Sequence, residues 1–293
     1  AKIFELGINS PEVLFAVEFK SSVIDHAYDA YVRPSGDTKE LGKQVYSGFV
    51  PTSELVDSYE MAGDGGNFSW EKHGKDPYAN REPRFYATIL YNGADWMGRK
   101  IESFVGGKDG YKAYENAGAA GTTVTGYYLR KYLIDGDKTW VTSGSGQDWI
   151  VLRYAEVLLN KAEALAMENW NKNSAEALQA LNDVRARVGL PARATADKET
   201  FLEYVRHERK VELAGEGFRY WDLRRWRLAE KVIDGQNVHG VKISKQSDGS
   251  FTYEQVDADG GHKRIFYDRY YRFAIPLSER SNNSLCTNND GWI

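Results

Sequence analysis

The sequence predicts a mainly α-helical chain, with tetratricopeptide-like helix pairs, a loop-rich region and short peripheral strands. Residues 148 to about 235 repeat apolar side chains at helical spacing. Residues 1–147 are irregular and rich in Gly, Tyr, Asn and Asp. Short connections between the helical stretches call for antiparallel neighbours. The chain therefore divides into a loop-rich region, 1–147, and a helical region with a loop and short-strand tail, 148–293.

In the first region, residues 12–19 are apolar and β-branched enough for a strand. Residues 84–91 read likewise, closed by the turn pair Asn92-Gly93. Residues 52–59 suit a short helix. Long glycine-rich loops lie around Gly63–Asn67 and Gly106-Gly107. Ordered loops of that length are uncommon without a task.

In the second region a helix is expected from Asp148, with one stripe at Val151, Ala155, Leu158, Ala162 and Leu165 and another at Leu152, Leu159 and Ala166. Asn173, with Glu176 three residues on, reads as the cap of a second helix that Gly189 and Pro191 end. A third helix is expected over 197–213 and a fourth over 218–232. Two hairpins in series give the tetratricopeptide-like stack, although the strict 34-residue consensus does not recur. In the tail, residues 251–253 and 265–267 are candidate paired strands, and Pro276 confines any strand at 270–276 to an edge.

A net charge of -4 leaves no broad basic field for nucleic acid or an anionic membrane. The single cysteine, Cys286, excludes an internal disulfide framework. No apolar run reaches the roughly 18–20 residues of a membrane-spanning helix. Enzyme motifs fail one by one. His207-Glu208 has Val at 211 where a zinc pair needs His, and Gly144-Ser145-Gly146 lacks the third glycine of a dinucleotide loop. Neither a nucleophile elbow nor a phosphate loop occurs. No cofactor is expected; a structural calcium at a carboxylate such as Asp148 is left open.

The densest constellation is the run 208–226. There Glu208, Arg209, Glu212, Glu216, Arg219, Asp222, Arg224 and Arg225 alternate with large apolar residues. The reading is an ion-pair network in which the acids pair with arginines of the same run and lock two helices together. Trp221 and Trp226 are expected in the core of that pair.

This run resembles the signature of the SusD/RagB family of outer-membrane nutrient-binding lipoproteins. Residues 152–159 with Ala162-Glu163-Ala164, 181–191, 83–91, 125–131, Ala274-Ile275-Pro276 and the ending 288–292 are similar to other blocks of that family, in the same order. Members are longer, with a signal peptide, a lipid-bearing cysteine and an N-terminal group of repeat helices. The chain therefore reads as the C-terminal portion of such a protein.

The resemblance implies a non-enzymatic binder of oligosaccharide or polysaccharide. It would deliver glycan to a SusC-like TonB-dependent transporter, at the outer-membrane cell surface, held by a lipid anchor on the N-terminal part. The alternatives are an α-helical glycoside hydrolase and a helical-repeat scaffold that binds protein or peptide. Sugar rings present apolar faces to aromatic side chains and hydroxyl rims to polar ones. Aromatic and polar residues of the glycine-rich loops are therefore the expected ligand contacts: Trp70, Trp96, Tyr78 and Tyr59, with Asp64, Asn80 and Arg81.

Overall fold

A computed structural model describes residues 2–110 and 122–292. Strand β1, Val13–Val17, forms where the apolar run predicts it. It pairs antiparallel with β2, Trp149–Arg153, from Val13 opposite Arg153 to Val17 opposite Trp149. This pairing joins the two regions. It also corrects the expected start of the first helix: residues 149–153 are strand. Their aromatic and β-branched side chains fit either structure, and the distant partner β1 decides.

Helix α1, Tyr28–Val32, and helix α2, Pro83–Thr88, follow in the loop-rich region. The second overturns the strand expected over 84–91. Pro83 sits at the first helical position, where its fixed φ favours a start. Only Ile89–Leu90 is extended, paired with Tyr128–Leu129. The short helix expected over 52–59 occupies Ser53–Val56.

Helix α3, Tyr154–Ala186, is broken at Asn169, whose φ of -161° and ψ of 95° are extended. The Asn169 side chain accepts from Lys172 N at 3.2 Å, so it caps the second segment. Asn173, the expected cap, lies inside that segment and donates to Leu165 O and Glu168. Helix α4, Lys198–Glu212, starts on the cap Asp197, which accepts from Thr200 N at 2.7 Å. Leu159, Ala162 and Ala166 of the first segment pack with Ala177, Leu181 and Val184 of the second and with Phe201, Leu202 and Val205 of α4. Small residues at these contacts let the helices approach closely.

The expected fourth helix is two: α5, Phe218–Arg225, and α6, Ala229–Ile233. Arg227, at φ +56°, makes the break. Trp221 is 55% exposed, which corrects its expected place in the core. Trp226 is half-buried, with its Nε1–H donated to Glu163 at 2.8 Å.

In the tail, β3, His239–Lys245, pairs with β4, Phe251–Asp257, in full register. Residues 265–267 are therefore not the partner of 251–253. Asp248-Gly249, with Gly249 at φ +86°, turns this hairpin. The stretch 270–276 holds only the end of a 3-10 turn, Asp268–Tyr271.

The acidic residues of 208–226 do form a buried network, but their main partners come from elsewhere. Glu208 pairs with Arg84 at 2.5 Å and Arg185 at 3.0 Å. Glu212 pairs with Arg153 at 2.8 Å, Arg84 at 3.1 Å and Arg187 at 2.5 Å. Glu216 pairs with Arg153 at 2.6 Å and Lys131 at 2.8 Å. Among the described residues, only Asp222 binds arginines of its own run, Arg209 at 2.7 Å and Arg225 at 2.8 Å. Arg224 instead donates to the carbonyls of Tyr270 and Tyr271. Arg219 has no ion pair among the described residues. The cluster thus fastens the helices to Arg84 of α2 and Lys131 of the loop-rich region.

Burial alone would raise the Glu212 carboxyl, but Arg153, Arg187 and Arg84 outweigh it and hold it far below its usual range. Glu60, which takes Arg185 at 2.9 Å and Arg193 at 2.8 Å, is held down in the same way. Depressed folded values contribute stability above the unfolded value of 4.5, lost as pH falls below it. Urea titrations should show the midpoint flat from pH 8 to 6 and falling below about 4.5. Glu212→Gln leaves buried guanidinium groups underpaired and should cost about 3–5 kcal/mol at pH 7 by the same measurement.

Candidate functional site: an exposed aromatic shelf

The structure scatters the residues expected to hold a ligand. Trp96 is 1% exposed, its Nε1–H donated to Asp37 at 3.0 Å. Tyr59 is fully buried against Phe85. Tyr78 is buried among Phe85, Tyr91 and Tyr127. Arg81 is buried too, and donates to the carbonyls of Val56 at 2.6 Å, Tyr59 at 2.9 Å and Pro77 at 3.0 Å. These four are core residues here, which corrects their placement on an open loop surface. Glycine-rich segments looked free of packing demands, yet each aromatic ring brings roughly 150–250 Å² that folding buries.

Asp64 and Asn80 are exposed. Asp64 closes its own turn by accepting from Gly66 N at 2.9 Å. Trp70 is half-buried. Its Nε1–H bonds Asp57 Oδ2 at 2.8 Å, and its ring meets Phe68 edge-on.

Open rings lie elsewhere, among them three residues of the loop-rich region that the sequence reading passed over. Tyr31 and Tyr46 stack with centroids 5.1 Å apart and planes inclined by 28°. They are 45% and 48% exposed, and Phe49 beside them is 64% exposed. Segment 45–49 lies along α1: Tyr46 N donates to Ala30 O, and Gly48 N to Tyr31 O, both at 2.7 Å. Ser47, at φ +47°, fixes the bend by donating its hydroxyl to Arg33 O at 2.9 Å.

Beneath the shelf, α1 is anchored by Arg33, which is fully buried. Its guanidinium pairs with Asp29 at 2.8 Å and Asp37 at 3.4 Å. It lies between the rings of Trp96, at 5.3 Å, and Trp140, at 5.1 Å. Trp96 therefore supports the aromatic surface from below. The one available sequence signal was Tyr46-Ser47-Gly48-Phe49, aromatics flanking glycine in an irregular stretch. The approach of Tyr46 to Tyr31 left no such signal.

Among the described residues no three His, Cys, Asp or Glu side chains are grouped to hold a metal ion. The Asp148 carboxylate accepts from Ile8 N at 3.0 Å and Phe19 N at 3.3 Å, which pins the N-terminal segment. Nor is any described helix long and apolar enough to cross a membrane.

A helical scaffold of the tetratricopeptide-like class carries the aromatic shelf on its loop-rich side. The profile of the SusD family matches residues 11–292, and the chain belongs to that family. The SusD-like protein P38 of Formosa agariphila is 32% identical over 133 residues, 42% of this chain and 25% of that protein. A solved SusD-like protein of Bacteroides fragilis is 26% identical with a TM-score of 0.77, over 97% of this chain and 55% of its own. A solved SusD-like carbohydrate binding protein of the same species is 26% identical with a TM-score of 0.74, over 93% and 54%. The chain thus spans a quarter of the first relative and about half of each of the other two.

Two predictions concern Trp96 and Asp57 of the loop-rich region. Trp96→Ala should destabilise the chain by about 3–5 kcal/mol in chemical unfolding, since it empties a core site. Burial pushes the Asp57 carboxyl up to about 6, against the pull of Trp70 Nε1–H and Arg81. A raised folded value means stability fully present below the unfolded 3.8 and lost as pH rises through about 6. Asp57→Asn should therefore raise stability by roughly 1–3 kcal/mol at pH 8 and by nothing at pH 3.5, read from thermal unfolding at both.

Proposed function

We propose that this chain is the glycan-holding part of a cell-surface capture protein: it binds oligosaccharide or polysaccharide without altering it. In the whole protein it would hand its cargo to a SusC-like TonB-dependent transporter, at an outer membrane reached through a lipid anchor. The single observation that carries the binding reading is the exposed shelf of Tyr31, Tyr46 and Phe49 on an ion-paired base. Membership of the SusD family, and the carbohydrate-binding description of the solved B. fragilis relative, support it.

The energetics suit capture and release. Each ring that covers on the order of 50 Å² of a sugar face contributes roughly 1 kcal/mol. Three rings give about 3 kcal/mol, weaker than a millimolar complex, so rim hydrogen bonds must add to them. Trp70, Asp64 and Asn80 keep solvent-facing surface and stay in the proposal as a second contact area.

The hydrolase reading fits the acids less well. A glycosidase acid needs a raised carboxyl with a second carboxylate at working distance. Glu60 and Glu212 are instead held low by arginines. Asp57, the raised aspartate, is engaged with Trp70.

Calorimetric titration with glycans chosen from an array tests the reading. Tyr31→Ala, Tyr46→Ala and Phe49→Ala should each weaken binding about fivefold, with melting temperature unchanged. Intact affinity in all three rejects the shelf. Sugar release abolished by one carboxylate change would favour a hydrolase, and peptide binding with no glycan binding would favour a scaffold.

A further inference from the structure

A second concavity, lined by none of the shelf residues, lies between the Ser53–Val56 helix, the end of α4, helices α5 and α6, and the start of β3. Its volume is about 560 Å³. Leu55, Leu223 and Val238 give it aliphatic walls, and Tyr220, 43% exposed, stands at its side. Its charges are unbalanced. Lys210, Arg219 and Arg264 line it, against one carboxylate, Glu54. Glu54 is already engaged, accepting from His239 Nδ1 at 2.5 Å and His239 N at 3.1 Å. This excess of cations sits in a chain whose net charge is -4.

The cations also lack ion-pair contacts among the described residues: Glu54 and Asp57 act on Lys210, and Asp222 and Glu203 on Arg219, only from a distance, and burial outweighs them. Arg33, Arg84, Arg153, Arg185 and Arg209 are buried, and each holds a carboxylate. Arg219 is half-buried, with no ion pair or side-chain hydrogen bond among the described residues, and Arg264 is open. Among the described residues, Lys210 Nζ donates only to neutral oxygens, Glu54 O and, at 2.5 Å, Ser58 Oγ. Burial first, and then the Arg219 charge, lower the Lys210 ammonium to about 8. Burial lowers Arg219 as well. Desolvated cations at a cavity wall are stabilised by an anion that enters it, and a guanidinium fork suits a planar or tetrahedral oxyanion.

We propose that this cavity seats the anionic group of an acidic sugar, a uronate carboxylate or a sulfate ester, with Lys210 and Arg219 binding the oxygens and Tyr220 flanking the ring. The inference rests on the carbohydrate-binding reading above and names the ligand class for a second site.

Titration calorimetry on the full chain would use three probes of equal length: an oligogalacturonate, a sulfated galactan oligosaccharide and a neutral glucan. At least one charged probe should bind tenfold or more tightly than the neutral one. Lys210→Gln with Arg219→Gln should remove that margin and leave neutral binding unchanged; which charged probe gains identifies carboxylate or sulfate. A native-chain measurement covers the case of a poorly folded variant. Acylation of Lys210 at pH 8, read by mass spectrometry, should slow at least threefold under the charged probe and not under the neutral one. Equal affinity for all three probes, lost in Tyr46→Ala, overturns the cavity and leaves the shelf standing. Protection of Lys210 by inorganic sulfate, with no sugar bound, overturns both. An unchanged margin in the folded double variant overturns the cavity.

Discussion

Glu208, Glu212 and Glu216 stand four residues apart, so they present three carboxylates on one side of α4 and the turn after it. Alone, three buried like charges would repel and stay protonated. Arg84, Arg153, Arg185, Arg187 and Lys131 converge on the three acids from four other parts of the chain, and the Glu212 and Glu216 carboxyls are held below their usual range despite burial. Arg84, Arg153 and Arg185 are in turn buried and would be costly without their acids, while Arg187 reaches in from the surface. Removing either side strands the other, so the arrangement ties the helical hairpins, the β1–β2 ribbon and the loop-rich region into one body.

A rigid base changes what irregular backbone can do. Segment 45–49 has little regular structure of its own, yet Tyr46 is positioned by bonds to α1, and α1 by Arg33 between two tryptophans. Ordering such rings before a ligand arrives lowers the entropy lost on binding. The buried aromatics and the exposed ones thus form one device. Trp96 and Trp140 hold the cation, the cation holds the helix, and the helix holds the stacked pair.

Where the sequence reading held, a local signal was enough. The apolar stripes of α3, the helix expected over 197–213 and the apolar run at β1 depend on neighbours within one or two turns. Even so, Pro83 was passed over because the residues after it resemble a strand. Its errors mark competition between two local solutions: Asn169 against Asn173 as a cap, strand against helix at 149–153, one helix against two at Arg227. The tail hairpin shows an overlooked turn, since Asp248-Gly249 stood between two alternating segments. Trp221 lies next to buried Asp222 and Leu223 yet faces solvent, because its helix is only two turns long and its outer side is uncovered.

The sequence by itself determined the helical class, the family blocks and the presence of a charged lock in 208–226, because periodicity and residue order are carried along the chain. Tertiary structure alone decided which arginine meets which glutamate, which aromatics are buried and which are open. Arg84 and Glu208 are 124 positions apart, and Tyr31 meets Tyr46 only through the bend at Ser47. Exposure is a property of what the rest of the chain covers, so no window of neighbouring residues contains it.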